Sequence, residues 1–148
     1  MSKYFTRDES MFTKILLATD SSKHSLRATE YAIELAKKFS GTVDIVYVND
    51  DSRSNVDVLH HHELTVLREK RKDKIKIVEK LVKESNVEYE IHILHGDAGP
   101  TILSFIHDHG SNCVVIGSRG LNKLQTFLLG SVSHKVAKRA PCPVLIVK

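Results

Sequence analysis

The chain of 148 residues is 41% hydrophobic and 27% charged, with a formal net charge of +4. That length suits one domain with one sizeable core, and the composition excludes a disordered chain. No apolar run approaches the roughly 18 residues that a membrane span requires, and a pI near 9.1 fits either anionic partners or a solvated basic surface.

The opening residues, MSKYFTRDES, are polar and lack the apolar centre of a signal peptide. Residues 1–12 are expected to form a flexible leader, with a single domain over 13–148. KILLATD (14–20) is a short apolar run ending in polar residues and predicts a buried strand. SSKHS then offers helix N-caps. Ala28, Ala32, Leu35 or Ala36, and Phe39 recur at helical spacing, and Ser40-Gly41 ends that helix.

TVDIVYV (42–48) is rich in β-branched residues and predicts a second strand. A charged helix over about 59–85 follows, its core stripe at Ile75, Val78, Leu81 and Val82. VEYEIHIL (87–94) alternates, as a strand near a sheet edge does. Ile102, Leu103 and Ile106 mark a third helix, ended by Gly110. CVVIG is a fully apolar fourth strand. A glycine loop leads to a helix over about Ser131 to Arg139, and VLIV (144–147) is a last short strand. Strands alternating with helices predict an α/β fold, a mainly parallel sheet covered on both faces.

In such a sheet, ligands collect beyond the carboxyl ends of the strands, where strand order reverses. Asp20 ends the first strand and Gly117 the fourth. If these strands are neighbours, Asp20 and the loop GSRGLNKLQTFLLGS face one crevice. Gly117 and Gly120 would let backbone amides approach a bulky anion. Gly130-Ser131 opens a helix whose first amides lack intrahelical partners and carry positive partial charge. The hydroxyls of Ser131 and Ser133 could donate to phosphate oxygens, and Arg119 and Lys123 could add charge. Asp20 suits a ribose hydroxyl. Spacing alone leaves open a second reading, in which the glycines serve only tight turns. The P-loop pattern GxxxxGK[ST] is absent, and no GxGxxG follows the first strand.

The remaining chemistry-bearing residues point elsewhere. His60, His61 and His62 would project about 100° apart on a helix and read as a solvated helix start. His92 and His95 would face opposite sides of the sheet, which disfavours a metal pair. His24 follows the first strand near the crevice. The basic run REKRKDKIK (68–76) reads as a solvated helix face, without the stacking aromatics that nucleic acid would call for. Cys113 reads as a buried small hydrophobe. Cys142 lies between Pro141 and Pro143, and the pair has no metal-ligand spacing and suggests no disulfide framework. A reducing cytoplasm is therefore expected, with no nucleic acid and no membrane as partners.

These residues resemble the universal stress protein family. Its nucleotide signature, G-x2-G-x9-G-[ST], is matched without a gap by Gly117, Gly120, Gly130 and Ser131. KILLATDSS is similar to the family's first strand with its terminal aspartate, and VDIVYVND to its second strand. HGDAGPTIL is similar to the turn after the third strand, with Ala98 where the family often has proline. APCPVLIVK resembles its ending. The resemblance covers about residues 13–148. It implies an open five-stranded parallel sheet of order 3-2-1-4-5, the Rossmann-like arrangement of adenine nucleotide alpha hydrolases, and the ATP-binding branch of the family. ATP or another adenine nucleotide is then the implied ligand, and Mg2+ could accompany its phosphates. Ala18, Thr19 and Asp20 would border adenosine, with Asp20 on the ribose, and Val48 would offer backbone groups to adenine. Gly117, Ser118, Arg119, Gly120, Gly130, Ser131, Val132 and Ser133 would hold the phosphates. The resemblance also implies a homodimer through Val144–Val147, an apolar edge of the kind that invites pairing.

Three functions compete on this reading. The first is a nucleotide-binding stress regulator acting through conformational change or an unknown protein partner. The second is a slow ATPase or phosphotransfer enzyme, which would need a group to position the attacking water. No catalytic residue and no metal ligand is assigned. The third is a ligand-free dimeric scaffold.

Overall fold

The computed structural model describes residues 11–50, 61–119 and 129–148. Its elements are β1 (Lys14–Ala18), α1 (Lys23–Phe39), β2 (Thr42–Asn49), α2 (His61–Glu84), β3 (Tyr89–His95), α3 (Ala98–His109), β4 (Cys113–Gly117), α4 (Ser131–Arg139) and β5 (Val144–Val147). The strands form one five-stranded sheet of order β3-β2-β1-β4-β5, with every pairing parallel. The first ten residues of the expected leader and the first two of the expected second helix lie outside the described residues.

Sequence pattern and burial agree because the central strands are covered on both faces. Ile15 and Leu17 of β1 pack with Ala28, Ala32 and Ile33 of α1 and with Val78 and Val82 of α2. Leu16 and Ala18 point the other way, onto Ile102, Phe105 and Ile106 of α3 and Val136 of α4. β3 lies on an edge and none of its residues is fully buried; its burial does not alternate strictly, because Ile91 and His92 are both half-buried and Ile93 is exposed. No helix among the described residues is long and apolar enough to cross a membrane.

Three expectations are corrected. Leu81 is 36% exposed and Phe39 is 42% exposed, so neither belongs to the core. Phe12, expected in the leader, packs against the core and meets Phe39 with ring centroids 5.0 Å apart. α1 ends at Ser40-Gly41 as expected, with Ser40 the left-handed residue at φ 53. Gly41 has a different role: a Cβ there would lie 2.6 Å from the Phe12 carbonyl oxygen, so the chain can approach β1 only without a side chain.

Cys113, on β4, is 1% exposed. Burial pushes its thiol up to about 11, and the Cys142 thiol adds to that shift. At pH 8 the thiolate fraction is on the order of one in a thousand. We therefore expect alkylation at pH 8 to modify the less buried Cys142 well before Cys113, as read by mass spectrometry of the folded protein. The unfolded thiol ionises at lower pH than the folded one, so native stability falls as pH rises from about 9 towards 11. A Cys113→Ala variant should lose less stability across that window in denaturant titrations.

Candidate functional site

β1 and β4 are neighbours, with Ala18 paired to Ile116. The chain therefore leaves both strands side by side, and Asp20 and Gly117 meet at one rim. This is where strand order reverses, because β2 and β3 lie to one side of β1 and β4 and β5 to the other.

A hydroxyl network holds the β1 side of the rim. Asp20 Oδ1 accepts the Ser22 N–H at 2.9 Å, and Thr19 Oγ1 accepts the Ser21 N–H at 3.1 Å. Ser22 caps α1 by accepting the Ser25 N–H at 3.3 Å. Thr19 Oγ1 also donates to Ser25 Oγ at 3.1 Å. Ser21, between them, takes φ 61, in the left-handed region, and its buried Oγ has no hydrogen-bond partner among the described residues. Sequence reading took these serines only as helix caps; they also fix the direction of the Asp20 carboxylate.

Val48 is placed by strand parity. Thr19 N–H donates to the Val46 carbonyl at 3.0 Å, so even-numbered residues of β2 turn their backbone groups towards β1. The ladder between β1 and β2 ends at Ala18 and Val46. Val48 N–H and C=O thus face the gap left where β1 turns away. Asn49 faces the opposite edge, where its carbonyl accepts the Gly96 N–H at 3.0 Å.

The β4 side is pinned by three bonds. Ser118 N–H donates to the Val147 carbonyl at 2.7 Å, and Gly130 N–H donates to the Ser118 carbonyl at 2.8 Å, which closes the base of the loop. Ser133, 4% exposed, donates its hydroxyl to the Gly117 carbonyl at 2.6 Å. Its proton is therefore committed to the protein, which corrects the expectation that it would donate to a phosphate. Ser118 N–H is likewise used by β5. Among the described residues, the first amides of α4, from Ser131 onward, precede the first intrahelical bond (His134 N–H to the Gly130 carbonyl) and offer donors here, behind Gly130 at φ −65, ψ 159. Ser131 is exposed and Val132 half-buried. Gly120 and Lys123 lie outside the described residues. Arg119 is half-buried, and its carbonyl lies 3.5 Å from Ser22 Oγ, which links loop to cap.

Gly117 also has a reason that spacing did not show. A Cβ there would lie 2.9 Å from the carbonyl carbon of His24 and 3.0 Å from Ser25 N. The first turn of α1 rests on the end of β4, and only glycine admits it.

Further polar side chains lie beyond the hydroxyl network. Tyr47 is 8% exposed. Burial pushes its phenol above the ordinary value; Arg71 of α2 opposes that shift, and Asp20 adds to it. Arg71 is half-buried, unlike the exposed charged residues around it in the basic run, and its charge acts on the Tyr47 phenol. Lys135 of α4 lies 3.7 Å from Asp97 at the start of α3.

Comparison with known proteins bears on this geometry. The model of the universal stress protein family matches residues 11–148. Universal stress protein YxiE of Bacillus subtilis is 34% identical, over 93% of this chain and 100% of its own length. The solved structure of hypothetical protein MJ0577 superposes with a TM-score of 0.80 at 27% identity, covering 93% of this chain and 96% of its own. Two solved universal stress proteins share the fold at lower identity. One is in complex with cAMP (TM-score 0.61, 24% identity, 90% and 94% of the two chains). The other, from Archaeoglobus fulgidus, is in complex with dAMP (TM-score 0.66, 20% identity, 93% and 99%).

The close approach at Gly117 yields a test. Gly117→Ala should destabilise the protein by about 1–3 kcal/mol, because the first turn of α1 must move off β4. Chemical denaturation measures this; an unchanged midpoint would contradict the packing role.

Proposed function

The chain belongs to the universal stress protein family, and from that premise we propose that it is a regulator that binds an adenine nucleotide, ATP above all, in the crevice between β1 and β4. One juxtaposition supports the reading: the backbone groups of Val48, the Asp20 carboxylate and the first amides of α4 all lie at the carboxyl-end rim where strand order reverses, and we assign them to adenine, ribose and phosphates respectively. The cAMP and dAMP complexes of the same fold support an adenine ligand in general.

Val48 offers a donor and an acceptor to the base edge. Asp20, held by Ser22, accepts from ribose hydroxyls. The amides of Ser131 and Val132 would donate to phosphate oxygens, with Arg119 on the loop side; Gly120, expected there from the family signature, lies outside the described residues. A helix N-terminus contributes about 0.3–1 kcal/mol against an anion and up to about 2 when partly buried. Micromolar affinity takes about 8 kcal/mol, so phosphate, ribose and base contacts must act together. Mg2+ would be held through the phosphates, with no protein residue assigned as its ligand.

The proposed role is binding, not rapid turnover. The Ser133 hydroxyl is committed to Gly117, and the sequence carries no P-loop lysine beside the glycines. Nucleotide binding would act by favouring one arrangement of the loop and of the start of α4, through differential affinity for the two. In a second part of the proposal, a second copy pairs along the outer edge of β5. Leu145 there is 37% exposed on a short apolar edge strand.

Gly130 has φ −65, which any residue can adopt. Gly130→Val should therefore keep the fold while its side chain fills the phosphate approach. The expected result is at least a 30-fold weaker ATP affinity by calorimetry with an unchanged unfolding midpoint; equal affinity would refute the phosphate assignment. Sedimentation at micromolar concentration should give a dimer for the parent chain and a monomer for Leu145→Asp. A parent monomer would contradict the pairing.

A further inference from the structure

A second cluster of chemistry-bearing groups lies away from the crevice, near the amino-terminal ends of the strands. Asp44 of β2 is paired directly with Glu90 of β3, and His92 follows two residues along the same face. His92 Nε2 lies 2.8 Å from Asp44 Oδ1 and 3.9 Å from Glu90 Oε2. The three ligand atoms all lie within 4.8 Å of one another. The His92 and Asp44 side chains are only 15% and 22% exposed, whereas Glu90 is 75% exposed. The imidazole is held by the sheet-facing side of α3. Its ring meets Phe105 edge-on at 4.6 Å, and His109 stacks on Phe105 at 3.8 Å.

Two carboxylates directly opposite each other on paired strands repel. A cation between them turns that repulsion into attraction. The donor set, one imidazole nitrogen and two carboxylate oxygens, suits zinc and its first-row neighbours rather than magnesium or a thiolate-seeking ion. Tetrahedral zinc with ligands at roughly 2.0–2.2 Å needs donor atoms about 3.3 Å apart. The distances from His92 Nε2, 2.8 and 3.9 Å, bracket that spacing. The exposed Glu90 side chain can make the remaining adjustment.

We infer that Asp44, Glu90 and His92 bind a divalent transition-metal ion of the zinc class, with the remaining coordination open to water. The ion replaces the proton that His92 shares with Asp44 and ties the edge strand β3 to β2. The site is independent of the nucleotide crevice, which lies at the carboxyl ends of the strands.

The test uses the full chain, freed of metal by a chelator that is then removed, and titrated with Zn2+ alone. His60, His61 and His62 are replaced by Ala in every sample, so that a histidine run elsewhere in the chain does not mask the result. Calorimetry should give one Zn2+ per chain, with a raised melting temperature when the ion is present. Glu90→Gln, at an exposed position, and Asp44→Asn should each weaken Zn2+ binding at least tenfold. His92→Ala should abolish it. ATP affinity should be unchanged in Glu90→Gln. Absence of Zn2+ binding in the background chain overturns the inference, as does a loss under tenfold in Glu90→Gln. If Asp44→Asn or His92→Ala fails to fold, Glu90→Gln decides.

Discussion

The parallel pairing of β1 with β4 is the constraint on which the rest depends. The chain first builds outward from β1 through β2 to β3, then returns to the centre to lay β4 on the other edge of β1. Both strands are buried on both faces, so neither can slip by a residue without turning apolar side chains into polar surroundings. Because the two strands run the same way and sit side by side, the turns that follow them open at one rim. A helix leaves from each side of that rim, α1 after Asp20 and α4 after Gly130. The crevice is thus a product of topology before any side chain is considered.

Packing then determines which groups can act there. The start of α1 lies so close to the end of β4 that Gly117 has no room for a Cβ. The same contact brings Ser22 within reach of the loop carbonyl of Arg119. Ser133 ties α4 back to Gly117, so the helix that offers its amides to a ligand is itself anchored to the central strand. A ligand that pulls on α4 therefore acts directly on β4 and, through Ser118, on β5. That route joins the proposed nucleotide site to the proposed pairing edge without any further element. The opposite end of the sheet is separate: Asp44, Glu90 and His92 belong to β2 and β3 alone.

Much of this was legible in the sequence. Strands covered on both faces give unbroken apolar runs, as KILLA and CVVIG do; the edge position of β3 was also legible, although its burial does not follow the alternation of its sequence. Leu81 was misplaced because the buried stripe of α2 is narrow. It runs through Ile75, Val78 and Val82, and Leu81 stands about 100° round the helix from its neighbour. Phe39 is the last residue of α1, where its ring meets that of Phe12 and stays 42% exposed. The spacing of Gly117, Gly130 and Ser131 located the rim, but not why each residue is needed. Steric contact at Gly117 and the committed hydroxyl of Ser133 depend on distances across the fold. The cluster at His92 was hidden for the same reason. Its partner Asp44 is 48 residues away in sequence and adjacent only through the β2–β3 register.

The most direct measurement is a titration of the 15N-labelled chain with ATP, followed by backbone amide resonances. Saturable shifts are expected at Val48, Asp20 and the first residues of α4, Ser131 and Val132, with the amino-terminal ends of the strands unmoved. Shifts confined to that opposite end, or no saturable shift at the rim, would contradict a nucleotide site there.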